Sequence, residues 1–325
     1  MAAARQGGTS WLKYGCFGCL GLLGFLLLMG VGLAGIAMLQ VRSEEVEQRD
    51  LTPEVPALPA SGIAQLPSPD LETPGAPETG PVLVGPEVPE ARGTVILEAD
   101  QTEISVSPGR PGERLQVKAR YDRKTYELDE VLDTTDEGTW TYRVTFRRTG
   151  GGFLTTLKEL LGGTKPEVRV ILPVDEPLNL DAEVRQGALT GDLGGLWLQR
   201  ARIDFMQGGV ELKVTEPLRS PMEELVIDGS MGGFVASNLG NASPRRLDCD
   251  LSMGGVVLDL RGSWARDADI SIVHSMGGAV VRLPRNVIIE GIETSRPAPP
   301  VDAELPPPTL RFSVSSSMGE MEIIE

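Results

Sequence analysis

The sequence predicts an all-β chain: a parallel β-solenoid with about 22 residues per coil over residues 176–325, preceded by a β-meander over 94–175 and by one N-terminal transmembrane helix over 14–41. Three observations predict it. Ser-Met-Gly is spelled four times, in GSMGG (Gly229 to Gly233), LSMGG (Leu251 to Gly255), HSMGG (His274 to Gly278) and SSMGE (Ser316 to Glu320). The equivalent glycines Gly187, Gly208, Gly232, Gly254 and Gly277 lie 21, 24, 22 and 23 residues apart, and Gly319 follows 42 residues on, close to two periods. The composition, with 39 Gly, 25 Pro and only 5% aromatic residues, favours turn-rich strands over helices.

Residues 1–13 form a short polar N-terminus, and no charged residue occurs between Tyr14 and Val41. The apolar run from Cys16 to Leu39, at about 1.5 Å rise per residue, is long enough to cross a hydrocarbon layer of roughly 30 Å. It exceeds the apolar core of a cleaved signal peptide, and no small-residue cleavage site separates it from the acidic SEEVEQRD, so a signal anchor fits better. Arg5 and Lys13 precede the span while Glu44, Glu45 and Glu47 follow it, which places the N-terminus in the cytoplasm and the bulk of the chain outside the cytoplasmic membrane. Cys16 and Cys19 open the apolar run rather than follow it, which disfavours lipid attachment, and they lack the further ligands of a metal or redox site.

Residues 42–93 read as a linker: ten prolines and ten acids fall between Glu44 and Arg92 with no apolar period, the composition of a semi-rigid spacer. From Thr94 the segments TVILEA, TEISVSP, ERLQVKARY and TWTYRVTFRR alternate apolar and polar residues between turn signals. One exception is GGGFLTTLKELLGG, where Phe153, Leu154, Leu157, Leu160 and Leu161 recur at helical spacing and predict a short amphipathic helix over 153–161.

In the repeat region Ile203, Ile227, Cys249, Ile272 and Val314 sit two residues from further apolar positions, as in strands stacked with one face buried. Continuing that alternation through the motif places Met231, Met253, Met276 and Met318 in an internal ladder, with Gln186 and Gln207 at the matching place in the first two coils. Gly208, Gly232, Gly254, Gly277 and Gly319 then turn the corner or allow close approach between coils. On this reading Met253→Asp costs several kcal/mol and Asp259→Asn is nearly neutral. Thioethers at regular core spacing fill space rather than bind Cu(I). His274, the only histidine, is expected on the inward side as a buried or semi-buried ring with its hydrogen bonds satisfied rather than as a ligand, and Cys249 behaves as a small buried hydrophobe. The Pro-rich segment 295–308 leaves the solenoid as a loop before the last strand.

The phrases LDCDLSMGGVVLDLRGSWARDADISIVHSMGGAVVRLPRNVIIEG and PTLRFSVSSSMGEMEI resemble the C-terminal domain of LiaF-type cell-envelope stress regulators. EVRVILPVDEPLNLDAEVRQGALTGDLGGLWLQRARIDFMQGGVEL is similar to the auto-adhesin, or toastrack, domains of the same superfamily. The resemblance covers roughly Thr94 to Glu325 and implies a single-stranded right-handed parallel β-helix of a bacterial envelope protein. The single predicted span departs from the several spans of LiaF proteins.

Charge narrows the function. Formal net charge is -16, and beyond residue 43 there are 27 bases against 46 acids, which argues against nucleic acid and anionic lipid as partners. No cofactor, metal site, catalytic set or small-molecule site is expected; Asp248, Asp250 and Asp259 are the nearest approach to a calcium-dependent lyase and read more simply as solvated strand positions. The expected function is a non-enzymatic binding or sensing module acting through other envelope proteins or itself, with a self-associating, adhesin-like scaffold as the alternative. Expected contact points are Gly21 and Gly24 on the membrane helix and Phe153 to Leu161 beyond it.

Overall fold

The computed structural model describes residues 45–56, 90–136, 138–150, 165–295 and 306–325. The alternating apolar segments there form β1 (Val46–Leu51), β2 (Gly93–Ala99), β3 (Thr102–Pro108), β4 (Gln116–Asp122), β5 (Tyr126–Thr134), β6 (Trp140–Arg148) and β7 (Glu167–Leu172). They continue as β8 (Leu178–Asp192), β9 (Leu198–Lys213), β10 (Glu224–Ser237), β11 (Arg246–Asp259), β12 (Ala268–Arg282), β13 (Ile288–Glu290) and β14 (Thr309–Ile324). The described chain is all-β: the fourteen strands make one mixed sheet, and a 3₁₀ turn at Leu239–Asn241 is the one helical element. No helix among the described residues is long and apolar enough to cross a membrane. The predicted span over 14–41, with Gly21 and Gly24, and the predicted helix over 153–161 lie outside the described residues.

Six long strands, β8, β9, β10, β11, β12 and β14, stack in parallel and in register. Asn179, Arg200, Glu224, Arg246, Asp269 and Arg311 stand side by side, reproducing the spacing of the glycines. Each layer contributes one inward residue to each row of the core. One row runs Ala182, Ile203, Ile227, Cys249, Ile272; another runs Leu189, Val210, Phe234, Val256, Ala279, and all are buried. A branched side chain so buried contributes about 1.5–3 kcal/mol, so repeating the row is what holds the layers together.

Two expectations are corrected. The segment 94–175 is not a meander. β2 and β3 lie parallel to the first and second halves of β8, Gly93 beside Leu178 and Thr102 beside Gly187, while β6 and β7 lie parallel to β2 and β3 in turn. The parallel stack thus begins before residue 176, and its partners are too far apart in sequence for local alternation to reveal. Nor is all of 42–93 a linker. β1 pairs antiparallel with β4, Val46 opposite Asp122 and Leu51 opposite Val117, and Arg49 Nη1 donates to the Leu128 carbonyl at 2.9 Å. VEQRDL is a strand whose half-buried positions are Glu47, Arg49 and Leu51, so it carries almost no apolar period to read.

The two ends are closed differently. At one, β5 runs antiparallel to β6 and β4 antiparallel to β7. At the other, β13 pairs with only Thr309 to Arg311 of β14, and Ser295 donates from its amide and hydroxyl to the Glu325 carboxylate at 2.6 and 2.9 Å. Of the expected loop 295–308, residues 296–305 lie outside the described residues.

Candidate interaction surface

Each long strand passes a corner at the glycine of its Ser-Met-Gly motif, or of Gln-Gly in β8 and β9. Gly187, Gly208, Gly232, Gly254 and Gly277 have φ between 119° and 140°, a region that side chains disfavour. A Cβ on Gly208 would also overlap the carbonyl oxygen of Gly187; the same holds for Gly232 on Gly208, Gly254 on Gly232 and Gly277 on Gly254. A Cβ on Gly319 would lie 2.7 Å from the Gly277 carbonyl oxygen, although Gly319 lacks the positive φ. The first five corner glycines are therefore demanded by both torsion and space, and Gly319 by space alone.

The bend also resets the alternation. In β10 the inward positions before the corner are Leu225, Ile227 and Gly229; after it they are Phe234 and Ala236. The parity has slipped by one residue, which is how a bulge turns a face over. Met231, Met253, Met276 and Met318 do stand in register, continued by Gln207 and Gln186, but they are not internal. Met253 is 40% exposed and Met318 75%. They form a ridge on the outside of the corner, and the expected cost of Met253→Asp falls with their burial.

Beyond that ridge lies a bare lane. Gly209, Gly233, Gly255 and Gly278, the second glycines of each doublet, have ordinary torsions, and a Cβ on any of them would meet nothing within 4 Å. Ala188 and Glu320 occupy the same row in neighbouring layers, so the fold accepts a side chain there. The next outward row is Val235, Val257 and Val280, flanked by Glu211 and Glu322; Val235 is exposed and the other two half-buried. Methionine ridge, glycine lane and valine row together make a flat apolar strip that backbone or side chains of another molecule can approach closely.

On the other side of the corner the outward face is charged. Glu98, Glu183, Asp204, Asp228 and Asp250 follow one another in consecutive layers. Arg143 pairs with Glu98, Arg185 with Glu183 at 3.0 Å, and Arg202 with Asp204 at 2.8 Å and Asp228 at 2.5 Å. Burial foremost pushes the Asp228 carboxyl up; Arg202 opposes this, while Asp204 and Asp250 add to the rise.

Asp248, Asp250 and Asp259 are not gathered. Asp259 is buried and accepts from Arg261 Nε at 2.8 Å and from the Arg261 amide at 3.1 Å. Burial raises its carboxyl, but the Arg261 hydrogen bonds outweigh this and hold it below the ordinary carboxylate range. Expecting it solvated was therefore wrong: at the end of β11 the alternation stops, with Leu258 and Asp259 both buried. No group of three or more His, Cys, Asp or Glu side chains among the described residues is placed to hold a metal ion. His274 is 1% exposed with neither ring nitrogen hydrogen-bonded, lying in an inward row between Leu251 and Ser316. Cys249 is a free, buried thiol pushed up by burial, then by Asp250 and Asp228. Both sit inside, but the expectation that the His274 ring would be satisfied fails, because the row it occupies offers it only Leu251 and Ser316. The glycine lane and valine row were missed, though the doubled glycine in three of the four motifs was a visible signal.

No protein-family model matches the chain, and no curated protein does. Among solved structures it is similar to a putative cell adhesion protein from Clostridium sporogenes, at 12% identity and TM-score 0.35 over 72% of this chain and 92% of that one. It is likewise similar to a putative adhesin from Bacteroides fragilis, at 9% identity and TM-score 0.36 over 86% and 97%. Likeness this slight carries no weight in assigning a function.

Proposed function

We propose that this protein is a membrane-anchored, extracytoplasmic binding module of the bacterial cell envelope, built as a right-handed parallel β-helix and acting through protein–protein contacts rather than catalysis. The apolar run Cys16 to Leu39 is its anchor and the excess of acids beyond it keeps the outer part soluble. The resemblance to LiaF-type and toastrack domains supports the helical winding, as do the in-register corner glycines. The observation that carries the binding role is the apolar strip: four exposed methionines beside four glycines that the fold does not require. Adaptable side chains next to a bare lane suit a protein partner better than a small polar ligand.

A photo-crosslinking residue replacing Val257 is expected to form a protein adduct in native membranes, while one replacing Asp250, on the charged side of the same strand, is not. Met253→Asp should abolish the Val257 adduct yet shift stability by no more than about 0.5 kcal/mol, as for other exposed positions. Equal adducts from both positions, or none from Val257, would sink the proposal. An adduct of twice the chain's mass would identify the partner as a second copy.

A further inference from the structure

The strongest unassigned feature lies at the opposite end of the stack from β14. β1, β4 and β7 are neighbours, and their outward residues form a shallow depression of about 360 Å³. Gln48 and Asp50 come from β1, Lys118 and Arg120 from β4, Glu167 and Arg169 from β7. Lys118 stands directly opposite Arg169, a like-charge cross-strand pair that works against the sheet. Arg169 is partnered by Glu167 at 3.1 Å, but among the described residues Lys118 and Arg120 make no ion pair and no side-chain hydrogen bond. Asp50 stands opposite Lys118 and Glu167 opposite Arg120, yet with Arg169 the outward residues of this face still carry three cations against two acids, a local excess of positive charge in a chain of net charge -16 that suits an anion. Guanidinium and ammonium donors at adjacent strand positions fit the oxygens of a phosphodiester.

The position of β1 says which phosphodiester. Only Arg42 to Glu45 separate the predicted span from Val46, and four extended residues reach at most about 14 Å. If the span is an anchor, the depression is tethered within reach of the lipid headgroups, because the Pro-rich stretch follows β1 in sequence and does not separate it from the span. We infer that Lys118, Arg120 and Arg169 bind the phosphate of an anionic lipid headgroup, seating this end of the stack on the bilayer. The inference rests on the membrane-anchored reading, and it overturns the expectation, drawn from net charge alone, that such headgroups are repelled.

The test uses the full chain, with Cys16 and Cys19 changed to Ser, in nanodiscs of phosphatidylcholine alone or with phosphatidylglycerol. A cysteine introduced by Gln48→Cys should react with an uncharged maleimide about fivefold more slowly in the anionic discs, and 0.5 M salt, on the order of three times the physiological ionic strength, should restore the rate. Lys118→Gln with Arg120→Gln should remove the difference. Val131→Cys on β5, exposed at the same end of the stack, should show none. Equal slowing at both positions would overturn the site, since it would report only the membrane's general field. Slowing by inorganic phosphate in discs of phosphatidylcholine would overturn the lipid assignment in favour of a soluble anion. Failure of the chain to enter nanodiscs would instead defeat the anchor itself.

Discussion

The two outward faces that meet at each Ser-Met-Gly corner belong to the same strands and share the same core, yet they differ in kind. Before the corner the exposed rows are charged and cross-linked by arginines, with Arg200, Glu224, Arg246, Asp269 and Arg311 alternating in sign from layer to layer. After it, in the middle layers β10, β11 and β12, they are glycine and valine, with Glu211, Glu320 and Glu322 only in the flanking layers. The backbone ladder and the buried rows do not distinguish the two halves, so the difference is not a requirement of folding. What it teaches is that one half of each repeat carries ion pairs while the other leaves apolar side chains and bare backbone exposed.

The sharpest way to break that comparison is to substitute two adjacent glycines. Gly254→Val puts a side chain at φ 136° and into the Gly232 carbonyl, and should cost about 3 kcal/mol or more, or prevent folding. Gly255→Val, one residue on, should change stability by less than about 0.5 kcal/mol, because it fills open space. Urea denaturation of the two variants checks this, and equal losses would mean the bare lane is structural after all.

A smaller effect is expected at the end of the bare half, where Asp259 is its buried charge. Asp259→Asn weakens the charge-assisted bonds from Arg261 and should cost about 1–3 kcal/mol at neutral pH. Because the folded carboxyl is held below its ordinary value, its stabilisation is present above that ordinary value and is lost as pH falls through the folded one. The gap between wild type and Asp259→Asn should thus narrow on acidification below roughly pH 4; a gap independent of pH would show that the charge is not what matters.

The smallest effect sharpens the charged half. Asp228 has its carboxyl raised on folding, so its ionised form costs stability that is absent below the ordinary carboxylate value and grows as pH rises through the folded one. Asp228→Asn should therefore be neutral or stabilising by a few tenths of a kcal/mol at pH 7, despite losing the Arg202 partner. A marked loss in melting temperature would show that the arginine network, rather than its mutual repulsions, dominates this face.

How much of this was legible follows from the range of each signal. Residues such as Ile203, Ile227 and Cys249 revealed the core because alternation holds within one arm of a strand. The glycine period revealed the stacking because the same contact recurs in every layer. The methionines were turned the wrong way because strict alternation was carried across a corner that consumes one residue, and because an apolar side chain was assumed to be inside. β1 was lost in a run of acids and prolines; it pairs through backbone and through Arg49, neither of which leaves an apolar pattern. The pairing of β2 and β3 with β8 spans a stretch over which a sequence gives no register.

The glycine row has a direction. Each corner glycine is constrained by the carbonyl of the layer before it, never by the layer after. At the head of that row stands Thr102 of β3, between β7 and β8: its hydroxyl donates to the Pro166 carbonyl at 3.2 Å, and its own carbonyl sets the demand on Gly187. Every later layer inherits that demand and passes it on. The stack therefore has a grammatical order from Thr102 onward: a layer copied toward the β14 end already meets the rule of its neighbour.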